Sequence, residues 1–247
     1  MLEAKNLFVY NAKRTIISDI NFKLERGSFT ALVGINGSGK STLVRAINGA
    51  LEYTGSLAFE GVELKDMPPK TRALNISVLP QQLGAPAITV FELALFGRSP
   101  HTGPFGRPSK KDYEAAERAL KSLGIWLLKH RRLNELSGGE RQKAFLAMVI
   151  AQDTPLVVLD EPATFMDMAY EKRFLNQLYS LKGQHKTVLC VMHNLNAAIE
   201  FADNFLVLNC GRLVFSGSRN QFIDSPVLEQ VFGVSRFYTQ SGRVFFG

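Results

Sequence analysis

Residues 34–42, Gly34-Ile35-Asn36-Gly37-Ser38-Gly39-Lys40-Ser41-Thr42, fit the pattern G-x-x-x-x-G-K-[ST], with an apolar run before them and a helical pattern after them. Glycine at positions 34, 37 and 39 lets the backbone turn so that successive N–H groups, those around Asn36 and Ser38 included, point inward. Such a nest at a helix start binds anions. It fits a triphosphate: Lys40 reaches the β- and γ-phosphates, the Ser41 hydroxyl serves Mg2+, and Thr42 supports the loop. Residues 156–161, Leu156-Val157-Val158-Leu159-Asp160-Glu161, then bring two carboxylates to the end of an apolar strand, where open parallel sheets place their ligands. Asp160 is the natural magnesium partner, directly or one ligand removed, and Glu161 is placed to polarise an attacking water. A capped glycine turn and a solvated acidic turn are the bland alternatives, and each loses ground once both features stand in one chain.

A second glycine pair lies in Leu136-Ser137-Gly138-Gly139-Glu140-Arg141-Gln142. Ser137 with Glu140 three residues on is a capping box, opening a helix that carries Phe145, Leu146, Val149 and Ile150. Gly138 and Gly139 are poor helix formers there and leave N–H groups bare for a phosphate. One nest already exists at residues 34–42, so a second implies that the two face each other across a dimer.

The elements that must hold these residues follow from periodicity. Leu2–Tyr10 and Ile16–Leu24 alternate as strands, Phe29–Val33 is a short apolar strand, and a helix begins after Gly39. Leu57–Phe59 and Ile76–Leu79 read as strands joined through a polar, proline-containing connection at Asp66–Arg72. Val90–Leu136 is amphipathic helix in texture, an inserted lobe. Leu156–Leu159 and Thr187–Met192 are buried strands alternating with helices, so the core is α/β and mostly parallel. The 247 residues, 46% hydrophobic and 21% charged, support a sizeable core and exclude a fibrous or disordered chain. No apolar run approaches the ~20 residues that span a bilayer, and Glu3 and Lys5 interrupt any apolar leader. A net charge of +7 suits phosphates, nucleic acid or an anionic membrane and selects none of them. Cys190 and Cys210 lack metal-ligand spacing and are expected to be buried, reduced thiols.

In its phosphate loop, its Asp160-Glu161 strand end and above all its Leu-Ser-Gly-Gly stretch, the whole chain resembles the ATP-binding-cassette ATPases. The resemblance implies a P-loop NTPase core with a mixed sheet, an N-terminal antiparallel β part and an inserted helical subdomain. It divides the single domain of residues 1–247 into residues 1–85 plus 155–247 and a signature-bearing lobe at 86–154. Ser137, Gly138, Gly139 and Glu140 match the signature that closes over the partner subunit's ATP. Tyr10 matches the aromatic that stacks on adenine. Gln81, with Gln82 beside it, matches the glutamine that meets Mg2+ and the catalytic water. Asp167 matches the aspartate of the D-loop, and His193 the switch histidine, delivered by the strand Val188–Met192 to the sheet edge that holds Asp160. Ala163, Met166 and Asn194 depart from the usual Thr or Ser, Leu and Asp; none of the three removes a phosphate, metal or water contact.

Thr89-Val90-Phe91-Glu92-Leu93, Gly97-Arg98-Ser99-Pro100-His101 and Phe105-Gly106-Arg107 resemble the permease-facing segment of importers for iron-siderophores, haem and cobalamin, although a Gly- and Pro-rich surface loop would read the same way. The resemblance implies an ATP-bound homodimer on the cytoplasmic face of the membrane. That dimer holds two permease subunits, acts indirectly with an external binding protein, and binds no nucleic acid. Importers of zinc, manganese or molybdate and soluble cassette ATPases are the alternatives.

Overall fold

The computed structural model describes residues 1–12, 14–81, 84–102, 106–163, 166, 168–183, 185–238 and 244–246. The chain begins with β1 (Leu2–Asn11), β2 (Arg14–Lys23), β3 (Phe29–Val33), α1 (Lys40–Ile47), β4 (Tyr53–Phe59) and β5 (Val62–Glu63). There follow α2 (Pro69–Asn75), β6 (Ile76–Leu79), α3 (Val90–Phe96), α4 (Ser99–Thr102), α5 (Lys110–Ser122) and α6 (Gly138–Gln152). Then come β7 (Leu156–Asp160), α7 (Met168–Lys182), β8 (Thr187–Val191), α8 (Leu195–Phe201), β9 (Asn204–Asn209) and β10 (Arg212–Ser218). The last elements are α9 (Arg219–Asp224), α10 (Val227–Phe232), β11 (Arg236–Tyr238) and β12 (Val244–Phe246). Contacts divide the chain into two compact units, Met1–Met67 with Thr187–Gly247, and Pro68–Lys186.

In the first unit β1 buries Leu2, Ala4, Leu7 and Val9, while residues between them reach solvent, the alternation of a half-buried strand. It lies antiparallel between β2 and β4, and β5 completes the order β2-β1-β4-β5. Strand β3 is buried along its whole length because it runs parallel to β8 on one side, Leu32 opposite Val191, and to β9 on the other, Val33 opposite Val207. Four of its five residues are apolar and Thr30 among them is buried too, as in a strand with no solvent side. Strand β10 pairs antiparallel with β9, and Phe222 of α9 stacks on Phe205 at 4.1 Å between ring centroids.

In the second unit β6 and β7 are parallel, from Ile76 opposite Leu156 to Leu79 opposite Leu159. Helices α3, α5 and α6 pack together through Leu93 and Ala94, Ala116 and Leu120, and Leu146 and Val149. Among the described residues no helix is long and apolar enough to cross a membrane.

Two expectations are corrected. The Asp66–Arg72 connection contains the start of a helix, because Pro69 occupies the first helical position of α2, where a missing N–H costs nothing. Cys190 is buried in β8 as expected, but Cys210 is exposed: its apolar neighbours Leu208 and Leu213 belong to strands, whereas Cys210 itself sits at φ 47° in the turn between them. Neither forms a disulfide.

Candidate functional site

The phosphate loop leaves the buried end of β3 and runs into α1. At Gly34 a Cβ would lie 2.1 Å from the Leu208 carbonyl oxygen, so no side chain fits. Gly39 is the N-cap of α1 at φ 105°, a left-handed conformation that side chains resist, and no side chain caps the helix there. The first turn of α1 also lacks an acidic residue. By contrast α3, α5, α6 and α9 all open with a capping box. A helix start with its macrodipole uncapped by its own chain suits an external anion. Ser38 supports that fit, for its hydroxyl is buried without a hydrogen-bond partner. Lys40 is only 5% exposed and donates from Nζ to the Gly34 and Ile35 carbonyls at 2.8 and 3.1 Å. Asn36 and Gly37 lie on the exposed tip of the loop, and Ser41 and Thr42 in the first turn of α1.

Two more of the expected residues lie in this unit. Tyr10, at the end of β1, is half-buried, and its hydroxyl shares a hydrogen bond of 3.1 Å with Thr54 Oγ1. His193 is exposed two residues beyond β8. Because β3 and β8 are parallel with Leu32 opposite Val191, Gly34 and His193 leave the same edge. Asn194 caps α8, accepting from the Ala197 N–H at 3.1 Å. Asn caps as well as the usual Asp, so this departure leaves the local structure intact.

In the second unit, the parallel pairing of Leu79 with Leu159 brings the two chain segments out side by side, and residues two further on meet. Gln81 donates from Nε2 to Glu161 Oε2 at 2.6 Å. Glu161 holds φ 52°, an uncommon conformation for a residue with a side chain and one that concentrates at functional sites. Asp160, at the end of β7, is 4% exposed. Met166 N–H donates to Ala163 O at 3.1 Å, so these two departures are directly hydrogen-bonded. Asp167, Gln82 and Phe105 lie outside the described residues.

Ser137 is the N-cap of α6. Its Oγ accepts from Glu140 N–H at 3.4 Å, and Glu140 Oε2 accepts from Ser137 N–H at 2.9 Å and from its hydroxyl at 2.7 Å. The Ser137 hydroxyl and N–H together hold the Glu140 carboxyl below its usual range, against some burial, with Arg131 and Lys143 helping. Ser137 and Gly138 are exposed and Gly139 is half-buried, so this helix start is open to a partner.

The C-terminus of α6 carries a cluster that sequence reading did not find. Arg98 donates from Nη1 to Ala151 O at 2.7 Å and from Nε to Asp112 Oδ1 at 3.0 Å. His101 Nε2 lies 2.8 Å from Gln152 O, and Lys186 Nζ meets Asp153 Oδ1 at 2.6 Å and Thr154 O at 3.1 Å. Cations at a helix C-terminus complement its dipole. A Cβ on Gly97 would lie 2.2 Å from Met148 O, so the chain before Arg98 touches the α6 backbone. Arg98 therefore faces inward, whereas His101 reaches the end of α6 from an exposed position; the motif that contains them was the only sequence signal.

The family model described as "ABC transporter" matches residues 17–164. The chain belongs to the ABC transporter family. It is an ATP-binding, ATP-hydrolysing cassette with the P-loop NTPase fold. Across 236 residues the cassette is 34% identical to the iron(3+)-hydroxamate import ATP-binding protein FhuC of Bacillus subtilis (strain 168), covering 94% of this chain and 88% of that one. It is also 34% identical to the ferric enterobactin transport ATP-binding protein FepC of Escherichia coli (strain K12), over 94% of this chain and 87% of that one. Among solved structures, it matches a chain of a transporter described as metal-chelate type, in an inward-facing conformation, with a TM-score of 0.83 and 29% identity over 99% of this chain and 95% of that one.

Proposed function

We propose that the cassette is the motor subunit of an importer for a metal chelate of the iron-siderophore, haem or cobalamin type, seated on the cytoplasmic face of the membrane through two permease subunits. The observation that carries this reading is the near full-length likeness to the ferric-hydroxamate and ferric-enterobactin subunits. An external binding protein would supply the cargo without touching this chain.

Residues 34–42 hold the triphosphate, with Lys40 neutralising its charge and the buried Ser38 hydroxyl as a donor. Tyr10 stacks on the adenine. Asp160 and Ser41 are oxygen donors of the kind Mg2+ takes, and Gln81 is the third candidate. Among the described residues no group of three or more His, Cys, Asp and Glu is gathered, which suits Mg2+, an ion held by one or two carboxylates plus substrate phosphates. When bound, the ion would neutralise charge developing on the phosphates. Glu161 polarises the attacking water, positioned by Gln81 at 2.6 Å, and His193 senses the γ-phosphate. Ser137, Gly138, Gly139 and Glu140 close over the ATP of a second copy, and Asp167 serves as the D-loop aspartate. Residues 86–154 act as the helical subdomain that carries the signature, and residues 1–85 with 155–247 as the core.

The test is uptake of a radiolabelled ferric siderophore by cells that lack the chromosomal copy of the gene. The wild-type chain should restore uptake and Lys40→Ala should not. Full uptake without any copy of this chain would refute the assignment.

A further inference from the structure

The segment between α5 and α6 carries a surface that nothing above uses. Residues 118–134 contain five Lys and Arg, namely Arg118, Lys121, Lys129, Arg131 and Arg132, and no Asp or Glu. In the middle of this basic stretch stands Leu127, 94% exposed, on a single helical turn of residues Trp126–Leu128. A leucine so completely outside the core gains nothing from the fold, and singly it would need no explanation. Its surroundings supply one.

Trp126 beside it is half-buried, edge-on to Phe91 at 6.1 Å, and Phe91 in turn stacks on the exposed Tyr113 at 6.1 Å. Lys129 places its ammonium 3.8 Å from the Trp126 ring centre, and Lys121 lies 5.4 Å from it. An apolar tip, an indole and a ring of long cationic side chains form the combination that sits at a bilayer's headgroup level.

The tip is rigidly mounted. Phe91 N–H donates to Lys129 O at 3.0 Å, Val90 N–H to Arg131 O at 2.9 Å, and Leu133 N–H to Ile88 O at 3.0 Å. With its backbone zipped to the start of α3, the turn need not be ordered on binding, so little conformational entropy is lost. Of the nearby acids, Glu117 takes Lys121 at 2.6 Å and Glu135 bends back to the Arg132 N–H at 3.1 Å. Glu117 also faces Lys129, Glu140 faces Arg131 and Glu92 faces Arg132, but among the described residues none of these three cations is in a close ion pair, so their charged heads stay beside Leu127.

We infer that the turn at residues 126–132 is a direct contact for an anionic lipid surface, with Leu127 and Trp126 entering the headgroup region and Lys129, Arg131 and Arg132 meeting lipid phosphates. The charge of the patch selects this occupant over a neutral one. The contact is independent of nucleotide and of any permease, so it stands or falls separately from the transport assignment.

The test is co-sedimentation of the purified full-length chain, without nucleotide, with vesicles of phosphatidylcholine alone or of phosphatidylcholine mixed with phosphatidylglycerol. Wild type should sediment with the mixed vesicles only, and added salt should release it. Each cation near an anionic surface strengthens binding about fivefold, so Lys129→Gln with Arg132→Gln should weaken it by about 25-fold. Leu127→Gln should weaken it by about tenfold. Both variants should keep wild-type ATP turnover and melting temperature, which excludes misfolding as the cause. Absence of wild-type binding, equal binding to both vesicles, or variants that bind as wild type does would each overturn the inference. So would binding that appears only when a permease is reconstituted in the vesicles, whatever their charge.

Discussion

Asp112→Asn keeps the shape of its side chain and removes its charge, so it tests whether the buried Arg98–Asp112 pair holds the helical lobe together. The Asp112 carboxylate accepts from Arg98 Nε at 3.0 Å, Ser109 N–H at 2.8 Å and Ser109 Oγ at 2.7 Å, and both partners of the ion pair are almost wholly buried. Burial raises its pKa, and the Ser109 hydroxyl, the Ser109 N–H and the Arg98 guanidinium outweigh burial, holding the group at about 2 against an ordinary 3.8. A depressed carboxylate contributes stability above its unfolded pKa and loses it as pH falls through the folded value. That difference is worth about 2 kcal/mol at neutral pH. Asparagine also leaves the Arg98 charge facing a neutral amide, and breaking a buried pair from one side costs about 3–5 kcal/mol. The two routes converge on a loss of about 3 kcal/mol at pH 7. Urea unfolding of both proteins measures it, and the gap between them should close as pH falls from about 4 to about 2. A loss below about 1 kcal/mol, or a gap independent of pH, would refute the reasoning and make the pair an ordinary surface contact.

Gly34→Ala should abolish ATP binding in a filter or fluorescence assay and destabilise the chain by about 1–3 kcal/mol, because its Cβ would press on the Leu208 carbonyl. Glu161→Gln should retain ATP binding, since its amide oxygen can still accept from Gln81, while turnover falls at least ~10²-fold; near wild-type hydrolysis would remove Glu161 from its role. Phe96 is 67% exposed within the segment that resembles the permease-facing one, so Phe96→Ser should lower co-purification of the permease and leave the basal turnover of the isolated chain unchanged.

Local signals were readable and long-range ones were not. Phe29–Val33 and the helix start at Lys40 stand where the apolar run and the glycines placed them, and the Ser137–Glu140 capping box forms as its spacing implied. Each depends on neighbours within a few residues. Arg98, in contrast, meets a carbonyl 53 residues away, and no periodicity announces that; the same motif read as a surface loop or a docking segment. The Gln81–Glu161 contact spans 80 residues and follows from β6 pairing in parallel with β7 in one particular register. Cys210 was misplaced because apolar residues on both sides resemble one buried run, whereas Gly211 after it marks a hairpin turn.

In the proposed motor, two copies of the cassette grip one triphosphate between the loop at residues 34–42 and the helix start at Ser137. In the free chain the Ser137 hydroxyl points its proton at Glu140 Oε2, 2.7 Å away, and that proton can swing to a phosphate oxygen while the Glu140 N–H bond persists. The most direct measurement is a crystal structure of Glu161→Gln with ATP and Mg2+. A dimer is expected, with Ser137 Oγ and the Gly139 N–H of one copy within hydrogen-bond reach of the γ-phosphate held by the partner's Lys40. A nucleotide-loaded structure in which Ser137 stays remote from every phosphate would contradict it.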